Sequence, residues 1–160
     1  MIEVITVLAI LALVALIIYN ARAKKTTSIP FKESMELVRL PIVTFKNGNT
    51  KLHFLLDTGS DDSFITSSIL KKVKIKGEIN KVTSIATGGG NINSKGIVII
   101  DIQYKDKVFE NTFIVSDMDE AFQSAVGNRG VHLHGILGSV FFERYKYMID
   151  FKEMAAYSKK

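Results

Sequence analysis

The sequence predicts an all-β fold with short helices, a sandwich or closed barrel, preceded by one transmembrane helix. Three observations carry this. Short apolar runs with strand-like composition recur from residue 37 onward. Turn signals separate them at Asn47-Gly48-Asn49, Thr87-Gly88-Gly89-Gly90 and Tyr104-Lys105-Asp106-Lys107. Residues 4–21 contain no charged side chain.

That first segment, VITVLAILALVALIIYNA, has the length of an anchor. At about 1.5 Å per helical residue, roughly 20 residues cross a hydrocarbon core of about 30 Å. Tyr19 stands near one end, and Arg22, Lys24 and Lys25 follow at once, with Glu3 the only charge on the other side. The positive-inside bias then places everything after the anchor in the cytoplasm. A cleaved signal is the first competitor, since Ala21-Arg22-Ala23 has small-x-small character. Its leading region, however, carries Glu3 and no Lys or Arg. A buried core helix is the second, but the segment lacks a polar stripe. Residues 22–36 are polar, contain Pro30 and read as a tether, with the folded domain occupying 37–160.

Within that domain, residues 37–45 are strand-like, Pro41 marking an edge or bulge. A hairpin turn leads to a strand over 52–56, and residues 67–73 fit one helical turn. Residues 79–86 and 92–104 are strands flanking the glycine-rich segment. A strand over 108–115 follows the turn at 104–107. Residues 117–124 read as a short helix with acidic residues in its first turn. A loop spans 125–130 and a buried strand 133–137. Residues 139–144 form a short helix with Ser139 as N-cap, and 147–151 are the last strand.

Composition excludes several functions. The chain has 160 residues, 47% hydrophobic and 23% charged, which suits one folded domain and not a disordered chain. It has no cysteine, so disulfides, cysteine-ligated zinc, iron–sulfur clusters, a cysteine nucleophile and a lipidated cysteine are excluded. The net charge is +5 and no basic run exceeds two residues, so no nucleic-acid partner is expected.

Chemistry concentrates in three places. In Phe54-Leu55-Leu56-Asp57-Thr58-Gly59-Ser60-Asp61-Asp62-Ser63-Phe64-Ile65, an apolar strand delivers a carboxylate into a tight turn. Such a carboxylate is costly unless hydrogen-bonded or useful, and Gly59 lets backbone amides approach it. An ordinary Asx turn between strands would look the same. In His134-Gly135-Ile136-Leu137-Gly138-Ser139-Val140-Phe141-Phe142, two apolar residues precede a glycine suited to close backbone packing. Ile85-Ala86-Thr87-Gly88-Gly89-Gly90-Asn91-Ile92 lies between these two as a glycine-rich hairpin that fits neither phosphate-binding pattern.

Together and in this order, the three segments resemble the retropepsin-like aspartic proteases, the single-lobe relatives of pepsin that include retroviral proteases. The resemblance runs over about residues 37–151. It implies the acid-protease barrel and peptide-bond hydrolysis by Asp57 and its counterpart across a symmetric homodimer. Two facing carboxylates there share one proton and activate one water. Thr58 would brace the partner loop, Gly59 keep the loop tight and Ser60 hydrogen-bond the outer oxygen of Asp57. Ala86, Thr87, Gly88, Gly89 and Gly90 would form the flap and Asp61 would face substrate. Ile136, Leu137 and Gly138 would lie under the catalytic loop. No cofactor or metal is implied. Retroviral members carry Arg where this chain has Ser139, so Asp61 needs another partner, Arg144 or the substrate. That departure keeps open a catalytically silent dimeric peptide-binding module of the same fold. His53, His132 and His134 invite comparison with a three-histidine zinc site, but partly exposed strand histidines are the commoner case.

Overall fold

The computed structural model describes residues 10, 12–14, 28–79, 84–87, 90–127 and 129–158, with backbone only at 84–87 and 90–93. Ile10 and residues 12–14 are helical; the rest of the anchor expected over 1–21 lies outside the described residues. No helix among the described residues is long and apolar enough to cross a membrane.

The domain is built on one seven-stranded sheet that closes on itself. Strands β2 (Ile42–Asn47) and β3 (Thr50–Leu56) form the expected hairpin, with Gly48 at φ 57 in its turn. β4 (Phe64–Thr66) is followed by a 3₁₀ segment, Ser67–Lys72, and by β5 (Ile75–Ile79). The long pair β8 (Gly96–Tyr104) and β9 (Lys107–Ser116) turns at Lys105. β10 (Gly135–Leu137) slips between β3 and β4, parallel to the first and antiparallel to the second. The order is β2-β3-β10-β4-β9-β8-β5, and a Lys46–Gln103 pairing between β2 and β8 closes the sheet into a barrel. That closure leaves β5, which among the described residues pairs with β8 alone, as the outer strand.

Alternation explains which side chains fill it. Leu52, Phe54 and Leu56 point inward from β3, and Val98, Ile100 and Ile102 from β8. Phe45, Phe54, Phe109 and Phe113 are fully buried. The Phe45 ring meets Phe54, Phe109 and Phe141 edge-on at 5.9–6.3 Å between centroids. Helix α3 (Ser139–Tyr145) closes the barrel with Phe141, and helix α2 (Asp119–Val126) covers a smaller cluster with Val38, Leu133 and Ile42.

The start of the domain differs from the sequence reading. Residues 22–36 were expected as a tether, yet the chain is folded from Ile29. Strand β1 (Ile29–Pro30) pairs with β12 (Ala155–Ser158), and Ile29 and Phe31 are buried. Residues 37–45 are not one strand, because helix α1 (Lys32–Val38) occupies their beginning. The Ser34 hydroxyl lies 2.9 Å from the carbonyls of both Phe31 and Leu40, which share its one hydrogen, and it accepts the Ile42 N–H, so one side chain closes the turn out of the helix. Pro41 precedes β2 and interrupts nothing. The last strand, β11 (Tyr147–Asp150), has the unexpected partner β12. The strand expected over 79–86 is divided: β5 ends at Ile79, β6 (Ser84–Thr87) follows, and residues 80–83 lie outside the described residues.

One buried polar residue staples this barrel. Asn47, 6% exposed, donates to the carbonyls of Lys74 and Asp101 and accepts the Lys74 N–H. Asn47→Ala leaves those backbone groups unpaired and is expected to cost about 2–3 kcal/mol in urea denaturation. An unchanged midpoint would show that water replaces the amide without loss.

Candidate active site

Strand β3 runs apolar to Leu56, which is buried, and the next residue is half-buried Asp57. The strand's last ladder contact carries into the loop, since the Asp57 N–H donates to the Leu137 carbonyl at 3.0 Å. The Gly59 N–H then donates to Asp57 Oδ1 at 2.9 Å, and the Ser60 N–H to the Asp57 carbonyl at 3.3 Å. A Cβ on Gly59 would lie 3.2 Å from that same carboxylate oxygen, so glycine lets the turn wrap tightly. The carboxylate is therefore aimed by backbone, as an Asx turn aims it.

The loop rests on Gly138. A Cβ there would fall 2.2 Å from the Asp62 carbonyl oxygen and 2.8 Å from that of Ser60. The first N–H groups of α3 lack intrahelical partners and find them in the loop. Ser139 donates to the Ser60 carbonyl at 2.7 Å and Val140 to the Asp61 carbonyl at 3.2 Å. The expected N-cap, Ser139, is instead the first helical residue. Gly138 holds the cap position, with no side chain bonding the helix end. The loop carbonyls supply the acceptors a cap side chain would have given.

Gly138 thus lies under the loop, at the end of the strand that carries Ile136 and Leu137. Two residues without an assigned role complete the seat. The Ser63 hydroxyl, buried, accepts the Gly138 N–H at 3.1 Å. A Cβ on Gly135 would strike the Phe64 carbonyl at 2.2 Å and the Phe54 ring at 2.7 Å. The sequence signal for both was a small residue bordering an apolar strand, which is common in any β protein.

Other expectations change. The Ser60 hydroxyl donates to the Asp62 carbonyl at 2.8 Å and not to the outer oxygen of Asp57. The loop curls so that its own carbonyl is the acceptor in reach. Arg144 is not the partner of Asp61: its guanidinium donates to the Glu110 carbonyl at 3.0 Å, beside the Tyr145 hydroxyl on the same oxygen. Among the described residues, Asp57, Asp61 and Asp62 form no ion pair. Thr58 is exposed. Ala86, Thr87 and Gly90 belong to a hairpin of β6 and β7 (Gly90–Asn93), with Thr87 paired to Gly90; Gly88 and Gly89 lie outside the described residues. A cavity of about 650 Å³ opens beside the loop, with Asp62, Ser63, Ile97, Ile114 and Val140 among its walls.

The three histidines do come together, His53 and His134 at 5.3 Å and His132 and His134 at 4.9 Å between ring centroids. Among the described residues, no three His, Cys, Asp or Glu side chains are placed to hold a metal ion.

A family model described as aspartyl protease matches residues 42–141, from β2 into α3. The chain belongs to the aspartyl protease family. Asp57, its turn and its glycine seat all fall within the matched residues. Among solved structures, the chain is similar to the EIAV protease complexed with the inhibitor HBY-793. The two are 23% identical, with TM-score 0.48, and the match covers 66% of this chain and 86% of that one. It is also similar to the retroviral protease-like domain of Ddi1 from Leishmania major, at 15% identity and TM-score 0.47, covering 71% and 82%. No curated protein matches the chain.

Proposed function

We propose that this chain is an aspartic endopeptidase that works as a homodimer, with Asp57 of each copy facing one water across the two-fold axis. The observation that carries this is the backbone-held carboxylate of Asp57, aimed by Gly59 and seated on Gly138. The chain has one Asp-Thr-Gly triplet, so the second carboxylate comes from a second copy. One carboxylate takes a proton from the water as its oxygen attacks the scissile carbonyl carbon, and the other gives a proton to the carbonyl oxygen. Collapse of the tetrahedral adduct breaks the C–N bond: the leaving amine takes a proton from the first carboxyl group, and a hydroxyl of the adduct returns one to the second carboxylate. Thr58 braces the partner loop, and the β6–β7 hairpin closes over an extended peptide and excludes water.

The uncharged run 4–21 and the basic residues after it support a single-pass anchor with the catalytic domain in the cytoplasm. Confinement to a bilayer raises the effective concentration of chains and favours the dimer. Alkaline extraction that leaves the full chain in the membrane fraction supports the anchor; release into the supernatant overturns it.

Activity is tested by exposing the full chain to a peptide library from about pH 4 to 7, with and without chelator and over a range of protein concentration. Cleavage that survives the chelator and rises faster than linearly with concentration is expected. A folded, dimeric chain that binds library peptides and cuts none would instead be the silent binding module.

A further inference from the structure

His134 joins two of the strands that carry the active-site loop, and the way it does so requires a neutral ring. Its N–H donates to the His53 carbonyl at 2.8 Å, and the His53 N–H donates back to His134 Nδ1 at 3.0 Å. The His134 carbonyl accepts the Thr66 N–H at 2.9 Å. One residue thus ties β3, four residues before Asp57, and β4, just after the loop, to the entry of β10. Because Nδ1 accepts, its proton sits on Nε2. A charged ring would carry a proton on Nδ1 and turn it towards the His53 N–H, donor against donor.

The surroundings resist that charge. The rings of His53 and His134 are half-buried and tilted by 31° at 5.3 Å, with exposed His132 at 4.9 Å from His134. His53 Nδ1 is occupied by the Thr44 hydroxyl at 2.8 Å. Lys51 acts on His53 from β3, Lys72 on His134 from the 3₁₀ segment, and Asp119 on His134 from α2 as an opposing charge. Glu33 of α1 lines the cavity that His53 and His132 share.

We propose that this histidine cluster is an acid-sensitive latch: protonation of His134 breaks its bond to the His53 amide and loosens the seam beneath the Asp57 loop, reversibly. Burial, then His53 and His132, hold the His134 imidazole down to about 4 from its usual 6.5. Burial and His132 lower His53 as well. An unfolded chain takes these protons near pH 6.5, before the folded one does. The latch is therefore fully stabilising above that pH, weakens as pH falls, and its loss is complete below about pH 4.

The test reads the latch without peptide cleavage, so it stands apart from the proposed activity. In the full chain, the His134 ring is followed by NMR titration and the His53 amide by hydrogen exchange corrected for intrinsic rate. A His134 midpoint near 4 is expected. A loss of at least about tenfold in His53 protection between pH 7 and 4.5 should accompany it, the full shift being reduced by solvent screening of a half-exposed ring. His134→Asn keeps an acceptor that does not titrate, and its protection should stay level over the same range. His53→Gln, which removes one like charge, should move the His134 midpoint up. A His134 midpoint at 6.5, or equal acid loss of protection in the parent and His134→Asn, overturns the latch.

Discussion

Asp57→Asn is expected to leave the chain folded and dimeric while lowering peptide cleavage by roughly 10²–10⁴-fold or more. The amide oxygen of Asn still accepts the Gly59 N–H that holds the loop at 2.9 Å. What it loses is the ability to take a proton from water, and in a homodimer both sides of the site lose it at once. Stability should stay within about 0.5 kcal/mol of the parent, as for an ordinary partly exposed substitution. Urea denaturation and initial rates on one cleaved peptide check the two halves. Mixing supplies a sharper reading. If one Asp57 from each copy is needed, excess variant suppresses the parent, and activity follows the square of the parent's mole fraction. Activity linear in that fraction would mean each chain works alone. Undiminished cleavage by Asp57→Asn itself would place the catalytic group elsewhere.

The parts of this site written in consecutive residues were legible in the sequence. An apolar run ending in Asp-Thr-Gly announces a strand and a turn, and Ile136-Leu137-Gly138 announces a strand and a close approach. Asn47-Gly48 fixed its hairpin for the same local reason, a residue with positive φ between two alternating runs. What escaped depends on residues far apart. Helix α1 has no capping side chain, and it ends where Ser34 reaches Ile42, eight residues away. Strand β12 is Ala-Ala-Tyr-Ser, weak in β-propensity, and exists because β1 and β11 flank it. Parity placed His132 and His134 on one face, but only the parallel register of Gly135 with Phe54 brings in His53, 81 residues away from His134. The hydroxyl of Ser60 was misdirected for a subtler reason. Its acceptor depends on how the loop curls, and that curl is imposed by Gly138 from below.

Gly138→Ala tests that imposition, and it should damage both fold and activity. The new Cβ would sit 2.2 Å from the Asp62 carbonyl oxygen, 2.6 Å from its carbon and 2.8 Å from the Ser60 carbonyl oxygen. All three are backbone atoms, so no side-chain rotation relieves the contact, and either β10 or the loop must move. The Ser139 N–H bonds the Ser60 carbonyl and the Val140 N–H the Asp61 carbonyl of the same loop, so movement also uncaps α3. Overpacking and lost caps together are expected to cost roughly 3 kcal/mol or more. A shift of about 1 Å at Asp57 should lower the cleavage rate by about 10²-fold in whatever fraction stays folded. Gly130→Ala separates this from the general cost of replacing glycine. Gly130 has φ 74 and nothing within 4 Å of its added Cβ. That variant should lose about 1–2 kcal/mol to backbone strain and keep its rate. Were Gly138→Ala as stable and as active as the parent, the loop would not be resting on Gly138. The contact that positions the carboxylate would then be the Gly59 amide alone.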